Sequence, residues 1–228
     1  MQGNYLLEKK FYKSMKKIYV VAIPIVIGVI TGMFLAFYPQ SEDNSKLLTE
    51  SKLIQNGSPV MGNPSASITI LEWGDYQCTF CHKFHQSTLN TIKHDFIETG
   101  KVKLVFKDFP LNGPDSVLAA EAAYCAQDQG KYWQYHNELY KNWAGEKTGW
   151  ITHDSLDKFA TTVSLNLNKF NECLDDHKYL ERVNQMYEFG KEIGIDATPS
   201  FFVFNNEKII KITGNQPLEI FLKSLDEL

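Results

Sequence analysis

The hydrophobic pattern of this 228-residue chain changes character several times along its length. Residues 18–38 form an unbroken run of 21 positions without a charge. Further on, residues 68–73 and 102–106 alternate apolar with polar side chains, which is the period of a half-buried β-strand. A helical stretch over residues 82–99 lies between them and ends at Gly100, a typical C-terminal stop. This order predicts a strand–helix–strand unit with parallel strands.

Residues 114–194 carry a different pattern, rich in alanine, leucine and aromatic residues at helical spacing. Four or five helices fit there. Two short strands follow over residues 200–204 and 208–212, and then a final amphipathic helix with Pro217 in its first turn. The order of elements predicts an α/β fold, in which a thioredoxin-like core is interrupted by a helical insertion at about residues 113–194.

Cys78 and Cys81 lie where the first of these strands gives way to its helix. A thiol in the first turn of a helix faces unpaired backbone N–H groups and the positive end of the helix dipole, and both favour the thiolate. The second cysteine lies on the same helix face, near enough to close a small disulfide. Because so short a loop constrains little chain entropy, we interpret the pair as redox-active rather than structural.

The same cysteines permit two other interpretations. Cys78-x-x-Cys81-His82 matches the attachment pattern of c-type haem, and His85 adds a fourth possible ligand for zinc. Haem attachment does not normally follow a strand with an acidic residue before the cysteines, and four ligands on one helix can hardly form a tetrahedron. We therefore expect neither a metal nor a cofactor.

The uncharged run of residues 18–38 has the length of a single bilayer crossing. Residues 1–17 before it contain five lysines and one acid, whereas Glu42 and Asp43 follow it. This asymmetry predicts a single-pass protein of the cell membrane, with residues 1–17 in the cytoplasm and the catalytic domain outside. The alternative is a cleaved signal peptide, but its apolar region is typically about 7–15 residues long and ends in a small-x-small site.

Residues 39–58 are polar and lack apolar periodicity, which predicts a linker ahead of a domain over residues 59–228. Once the five lysines and one glutamate of residues 1–17 are set aside, the chain holds 18 basic and 26 acidic residues, a balance of about −8. This charge argues against nucleic acid or an anionic lipid surface as a partner.

The remaining cysteines, Cys125 and Cys173, lie far apart in sequence, each within a helical pattern. Two buried free thiols are one interpretation, because cysteine is a good small core residue. An even number of cysteines in an exported domain favours a structural disulfide between them, which would join two helices.

Four pieces of sequence occur in an order that is typical of one family. They are residues 62–66 (GNPSA), residues 72–78 (EWGDYQC), Cys81 and residues 194–203 (GIDATPSFFV). Over about residues 59–228 the chain thereby resembles the DsbA-like thiol–disulfide oxidoreductases of the thioredoxin superfamily, in the branch that includes the Gram-positive BdbD type.

The resemblance implies a role for each matching residue. Cys78 would be the exposed nucleophile, and Cys81, more buried, would resolve the mixed disulfide. Pro199 matches the family's cis-proline, which leaves Thr198 to pair with the substrate backbone. Glu72 matches the buried acid beneath the active site, from where it could carry the proton of Cys81. The alternative for Glu72 is an exposed edge residue.

The dipeptide between the cysteines departs from the family pattern. Dedicated oxidases commonly have Pro-His there, whereas this chain has Thr79-Phe80. Phe80 cannot supply the charge that helps to stabilise a thiolate. His82 and His85 lie one turn away and could do so, although both also suit solvent-facing helix positions, His85 especially. The direction of electron flow therefore stays open.

The resemblance implies a monomeric enzyme that donates its Cys78–Cys81 disulfide to reduced exported proteins. A membrane quinone-linked partner of the DsbB or VKOR type would reoxidise it. One alternative is a disulfide reductase or isomerase, although isomerases of this superfamily are usually dimers with a separate dimerisation region. The other is a redox-independent peptide-binding chaperone, which would use a groove beside Phe80 and Pro199.

Overall fold

A five-stranded sheet forms the centre of the molecule, in a computed structural model that describes residues 49–228. The strands are β1 (Met61–Gly62), β2 (Ile68–Gly74), β3 (Val102–Asp108), β4 (Ser200–Phe204) and β5 (Ile209–Thr213). Their order in the sheet is β1-β3-β2-β4-β5, and only β2 and β3 pair in parallel among these strands.

Nine α-helices surround the sheet within residues 49–228, and a π-helical turn, Lys93–Ile97, extends the third of them. The helices are α1 (Glu50–Ile54), α2 (Thr79–Gln86), α3 (Thr88–Ile92), α4 (Pro114–Gln127), α5 (Tyr132–Lys141), α6 (His153–Thr162), α7 (Leu167–Asp175), α8 (Leu180–Glu192) and α9 (Leu218–Asp226).

The parallel strand–helix–strand unit predicted from the sequence is confirmed. Strands β2 and β3 pair from Ile68 opposite Val102 to Gly74 opposite Asp108, so both run slightly further than their apolar alternation indicated. β5 lies one residue later than predicted, and Pro217 precedes the first turn of α9 instead of lying within it. In each case pairing or capping, rather than the hydrophobic pattern, sets the boundary.

The single helix predicted over residues 82–99 is wrong. The helix in the structure begins earlier, at Thr79, because Cys78 is its N-cap. The helical segment then breaks at Ser87, where the backbone leaves the helical region (φ −127°, ψ −81°). The Ser87 hydroxyl donates to the carbonyl of Lys83 at 2.7 Å, which is the local bonding by which serine competes with regular helix. Gly100 ends the segment in the left-handed conformation, as predicted (φ +77°).

An apolar core fills the space between one face of the sheet and helices α2, α3 and α9. Three phenylalanine rings lie at its centre, with centroids 4.6 Å apart for Phe84 and Phe201, 5.4 Å for Phe84 and Phe221, and 5.0 Å for Phe201 and Phe221. Each ring is completely buried. This packing fixes α2, and therefore the two cysteines at its start, on the central strand β2.

Helices α4–α8 form the helical insertion between β3 and β4, at the position and with the number of helices that the sequence predicted. Cys125 of α4 and Cys173 of α7 form a disulfide, with their Cα atoms 5.7 Å apart. The alternative of two free buried thiols is therefore not what the structure contains.

The last ten residues of the predicted linker, 49–58, are part of the folded domain, so that prediction is wrong there. The Leu53 side chain of α1 is completely buried. Ser58 donates its N–H to the carbonyl of Phe106 at 2.8 Å, and the Phe106 N–H donates to the Ser58 hydroxyl at 2.9 Å. A helix of five residues with one buried side chain is too short to show a period, which is why the sequence concealed it.

Residues 1–17, 18–38 and 39–48, which contain the predicted basic segment, anchor and start of the linker, lie outside the described residues. Across 49–228, none of the helices combines the length and apolar character that a membrane crossing needs.

Candidate active site

The loop that joins β2 to α2 is held by the carboxylate of Asp75. Its Oδ1 accepts the N–H of Gln77 and the hydroxyl of Ser116, both at 2.7 Å, and its Oδ2 accepts the N–H of Asn112 at 2.8 Å. Burial raises the pKa of Asp75, while these hydrogen bonds act to lower it. These hydrogen bonds tie the loop to the start of α4. They thereby fix the position of Cys78, which follows Gln77 at the beginning of α2.

Cys78 is the N-cap of α2, with extended backbone (φ −66°, ψ 125°) and its sulfur facing the first turn. The N–H of Cys81 points to the Cys78 Sγ at 3.5 Å. The Cys81 thiol contributes most to lowering the pKa of Cys78 to about 7, the N–H groups of Cys81 and Phe80 add to it, and burial opposes it. About half of the Cys78 side chains are therefore thiolate at neutral pH.

Thr198, which precedes Pro199, contacts Cys78 although the two residues are 120 positions apart in sequence. The peptide bond between Thr198 and Pro199 is cis, and β4 begins immediately afterwards at Ser200. The Cys78 thiol donates to the Thr198 carbonyl at 3.3 Å, and Thr198 also helps to lower the pKa of Cys78. Partly because of this cover, Cys78 is only 5% exposed, less than the resemblance implied for a nucleophile.

Cys81 has the opposite environment. It is completely buried, and burial raises its pKa well above the usual value of a thiol, with the hydrogen bond to Cys78 and the charges of Cys78 and Glu72 adding to the effect. Both thiols are free. One turn of helix therefore carries an acidic thiol and a thiol that stays protonated.

Glu72 lies in the middle of β2, opposite Phe106 on one neighbouring strand and Phe201 on the other. It is completely buried, and neither carboxylate oxygen has a hydrogen-bond partner. The nearest basic group is His85, whose Nε2 lies 3.3 Å from the Glu72 Oε2. The interpretation of Glu72 as an exposed edge residue is therefore wrong, because β2 is a central strand.

The two histidines of α2 do not face solvent in the way the sequence suggested. Only 4% of the His85 side chain is exposed, and its ring stacks on that of Tyr140 at 3.9 Å. His82 is half-buried, with its ring stacked on Trp143 and its Nδ1 3.0 Å from the carbonyl oxygen of Tyr140. Tyr140 of helix α5 covers the His85 ring, and Trp143, just after that helix, covers the His82 ring; no local sequence pattern places either of them here.

Segment 143–147 of the helical insertion contacts the start of α2. The Glu146 Oε1 accepts the N–H of Thr79 at 2.8 Å. The Trp143 indole donates to the carbonyl of Gln77 at 2.8 Å, and the N–H of Lys147 donates to the Gln77 side chain at 2.9 Å. The Glu146 carboxylate thus accepts a hydrogen bond from the backbone N–H of the residue that follows Cys78. Sequence reasoning missed it, since 67 residues separate Glu146 from Thr79.

A second buried group beside the site was also missed. The hydroxyl of Tyr76 lies 2.9 Å from Nδ1 of His136, and His136 is completely buried with its Nε2 unpartnered. Burial lowers the pKa of His136 well below the usual range, so this imidazole is neutral. Its ring centroid lies 4.8 Å from that of His85.

Phe80 is the most exposed large apolar side chain within residues 49–228, at 55%. It lies between the two cysteines, with the Lys83 amine 5.4 Å from its ring centroid. An exposed ring beside a reactive thiol provides apolar surface to whatever approaches that thiol.

The four residues considered as zinc ligands do not converge. His85 faces Glu72, and His82 faces the backbone of Tyr140. In the part of the chain from residue 49 onward, no group of three or more histidine, cysteine, aspartate or glutamate side chains is arranged to hold a metal ion.

Comparison with known proteins gives a matching family model and several similar chains. A family model described as Thioredoxin matches residues 55–227. Disulfide bond formation protein D of Bacillus subtilis (strain 168) is 31% identical over 158 residues, which cover 68% of this chain and 70% of that protein.

Solved structures agree with this. The crystal structure of oxidised BdbD from Bacillus subtilis superimposes with a TM-score of 0.69 at 26% identity, over 76% of this chain and 93% of that one. Wolbachia pipientis α-DsbA1 gives a TM-score of 0.68 at 26% identity, over 81% and 94% of the two chains.

Proposed function

Because this chain belongs to the DsbA-like thiol–disulfide oxidoreductases of the thioredoxin superfamily, we propose that it introduces disulfides into exported proteins through Cys78 and Cys81. The observation that carries the exchange chemistry is the contrast between the two thiols, and the relatives named for disulfide bond formation support its oxidising direction. The pKa of Cys78 is lowered to about 7, whereas that of buried Cys81 is raised well above the usual value. Such a pair has one good leaving group and one sulfur that must be reprotonated.

The reaction starts from the Cys78–Cys81 disulfide. A substrate thiolate attacks the Cys78 sulfur, the bond between Cys78 and Cys81 breaks, and Cys81 leaves as a thiolate that takes a proton from Glu72. A second substrate thiolate then attacks the substrate sulfur of the mixed disulfide. The substrate disulfide forms, Cys78 leaves as a thiolate, and the enzyme has gained two electrons.

Substrate binding is assigned to the residues that surround Cys78. Thr198 presents backbone to an extended peptide, and Pro199 packs next to the reacting sulfur. Phe80 provides apolar contact. The support for these roles is position: the Thr198 carbonyl is 3.3 Å from the Cys78 Sγ, and Phe80 is exposed beside it.

Reoxidation requires an acceptor for the two electrons. We assign this role to a membrane quinone-linked partner of the DsbB or VKOR type, and we place the domain outside the cell as a monomer, anchored by residues 18–38. The length and lack of charge of that run support the anchor. An anchored domain meets a membrane partner at a raised effective concentration.

One observation favours a second function, a disulfide reductase or isomerase. A thiol pKa of about 7 is close to that of thioredoxin and far above the roughly 3.5 of DsbA. The uncharged Phe80 ring and the Glu146 carboxylate at the Thr79 N–H both favour this direction. The reduction potential separates the two functions.

The catalytic assignment is tested by substitution in the full-length protein. Cys78→Ala is expected to abolish oxidative refolding of a reduced protein that carries disulfides in its native state. When Cys81→Ala is given a substrate disulfide that Cys78 can attack, it should accumulate a mixed disulfide through Cys78 and release the other substrate sulfur as a thiolate. Cys125→Ala/Cys173→Ala, which leaves the active pair intact, is the matched control. Retained refolding activity in Cys78→Ala would overturn the assignment.

A further inference from the structure

His85 is a buried titratable residue that the exchange steps above do not use. Its Nε2 lies 3.3 Å from the Glu72 Oε2, within ion-pair distance but without the alignment of a hydrogen bond. No other hydrogen-bond partner is present for this nitrogen or for either Glu72 oxygen within residues 49–228.

A cleft reaches His85 from the surface. It has a volume of about 270 Å³ and is enclosed between α5 and the helical segment from α2 to the π-helical turn; its lining includes His85, Leu89, Lys93, Asn137, Tyr140 and Lys141. The Lys141 side chain is 72% exposed, so the cleft opens to solvent. A space of this size holds several water molecules, each of which takes about 30 Å³. Glu72 does not line it, so His85 lies between the carboxyl group and the water.

Other ionisable groups around His85 are poorly suited to carry a proton to Glu72. Tyr140 stacks on the His85 ring, but burial raises its pKa well above the usual value. His136 is neutral and completely buried. Lys93 and Lys141 lie at the cleft, and Cys81, on the same helix, is the group that receives the proton. Among these, His85 alone both faces Glu72 and lines the cleft.

We propose that His85 carries protons between the solvent-filled cleft and Glu72, and so acts through Glu72 on the buried sulfur of Cys81. This inference rests on the proposed function. When Cys81 leaves as a thiolate, it takes the Glu72 proton. The carboxylate takes a proton from the His85 imidazolium, and the imidazole takes one from water in the cleft. During reoxidation the same proton leaves by the reverse path, and no electrons pass through His85.

The test uses the full-length protein and the matched variants His85→Gln and His82→Gln. Glutamine at position 85 keeps a polar side chain beside Glu72 but cannot relay protons. The His82→Gln variant removes the other histidine of the same helix and leaves His85 in place. Reduction of the Cys78–Cys81 disulfide by dithiothreitol is followed by stopped-flow tryptophan fluorescence between pH 5 and pH 9. This reaction proceeds whichever way electrons flow in the cell, so a failure of the proposed function does not affect the result.

We expect His85→Gln to react about tenfold more slowly at pH 7, a part of the roughly 10²–10⁴ typical of general acid–base catalysis. Added imidazole should restore the rate. His82→Gln should keep the wild-type rate. A His85→Gln variant with the wild-type rate and pH profile would overturn the proposal.

A second variant leaves His85 in place. Asn137 is exposed and lines the cleft, so Asn137→Trp should fold normally and obstruct access of water to His85. The proposal requires this variant to slow the same step, with an increased solvent deuterium isotope effect. If the obstructed protein reacts at the wild-type rate, protons reach Glu72 by another path and the proposal is wrong.

Discussion

At the scale of single residues, the chemistry of the site depends on what surrounds two sulfurs three positions apart. Cys78 is a helix cap whose sulfur faces N–H groups, and Cys81 points into the core. The sequence predicted this pair, because a strand followed by a helix places the first cysteine at a cap. It could not predict Glu146 or the burial of His85, since both depend on parts of the helical insertion that fold back onto α2.

The first prediction concerns Glu146. Its carboxylate accepts the N–H of Thr79, the residue that follows Cys78, so we expect its negative charge to disfavour the thiolate. Glu146→Gln keeps an acceptor oxygen but removes the charge. We expect the pKa of Cys78 to fall below its value of about 7, and the reduction potential to become less negative. The pH dependence of iodoacetamide alkylation measures the pKa.

Glu138→Gln is the control, because it removes an equal charge from the same helical insertion and its carboxylate bonds Asn142 instead of α2. Since Glu146 is exposed, 0.5 M salt should reduce the difference between Glu146→Gln and the wild type. An unchanged or raised pKa in Glu146→Gln would show that its carboxylate does not act on the thiol.

At the scale of elements, β3 ends in two buried ionisable residues with opposite preferences. Burial lowers the pKa of Lys107 to about 7, although its amine donates to the Leu53 carbonyl at 2.9 Å and lies over the Trp73 ring. Burial also raises the pKa of Asp108 to about 7. Folding therefore favours the neutral form of each.

The second prediction follows for stability against pH. Between about pH 4 and 7 the folded protein holds the Asp108 proton that the unfolded chain has released, so the free energy of unfolding falls as pH rises. Between about pH 7 and 10 the unfolded chain holds the Lys107 proton that the folded protein lacks, so this free energy rises again. Each contribution is at most about 4–5 kcal/mol.

Urea unfolding at pH 4.5, 7 and 9.5 measures both contributions. Asp108→Asn should flatten the fall below pH 7 and leave the rise above it, whereas Lys107→Met should do the reverse. Each variant is the control for the other. If both unfold with the pH dependence of the wild type, neither residue changes its protonation on folding.

The third prediction concerns the disulfide between α4 and α7. Cys125→Ala/Cys173→Ala should lower the free energy of unfolding by roughly 2–4 kcal/mol, because the bridge restricts the unfolded chain across a separation of 48 residues. Exchange through Cys78 and Cys81 should continue at the wild-type rate. A loss of exchange in a variant that is still folded would mean that this disulfide takes part in the chemistry.

Element types were easier to predict than element ends. Hydrophobic alternation gave β2, β3 and β4 because their apolar side chains pack on a core. It gave neither the break at Ser87, which a side-chain hydrogen bond stabilises, nor α1, which has one buried residue. Both depend on individual contacts and leave no period in the sequence.

At the scale of the whole molecule, the described domain supplies the exchange chemistry and the N-terminal residues supply the proposed anchor. The part of the chain beyond residue 38 carries a charge of about −8, which disfavours the binding of polyanions. The exposed side chain between the two cysteines, Phe80, is apolar. We therefore expect its substrates to be polypeptides with free thiols.

We propose that this enzyme oxidises its substrates. The reduction potential of the Cys78–Cys81 pair distinguishes this function from reduction of the substrates. The full-length protein is equilibrated against glutathione buffers, with the Cys125→Ala/Cys173→Ala variant measured in parallel to isolate the active pair. We predict a potential between about −120 and −180 mV, in the range of protein-thiol oxidants. A value near about −270 mV would contradict it, because electrons would then flow from this protein to its substrates.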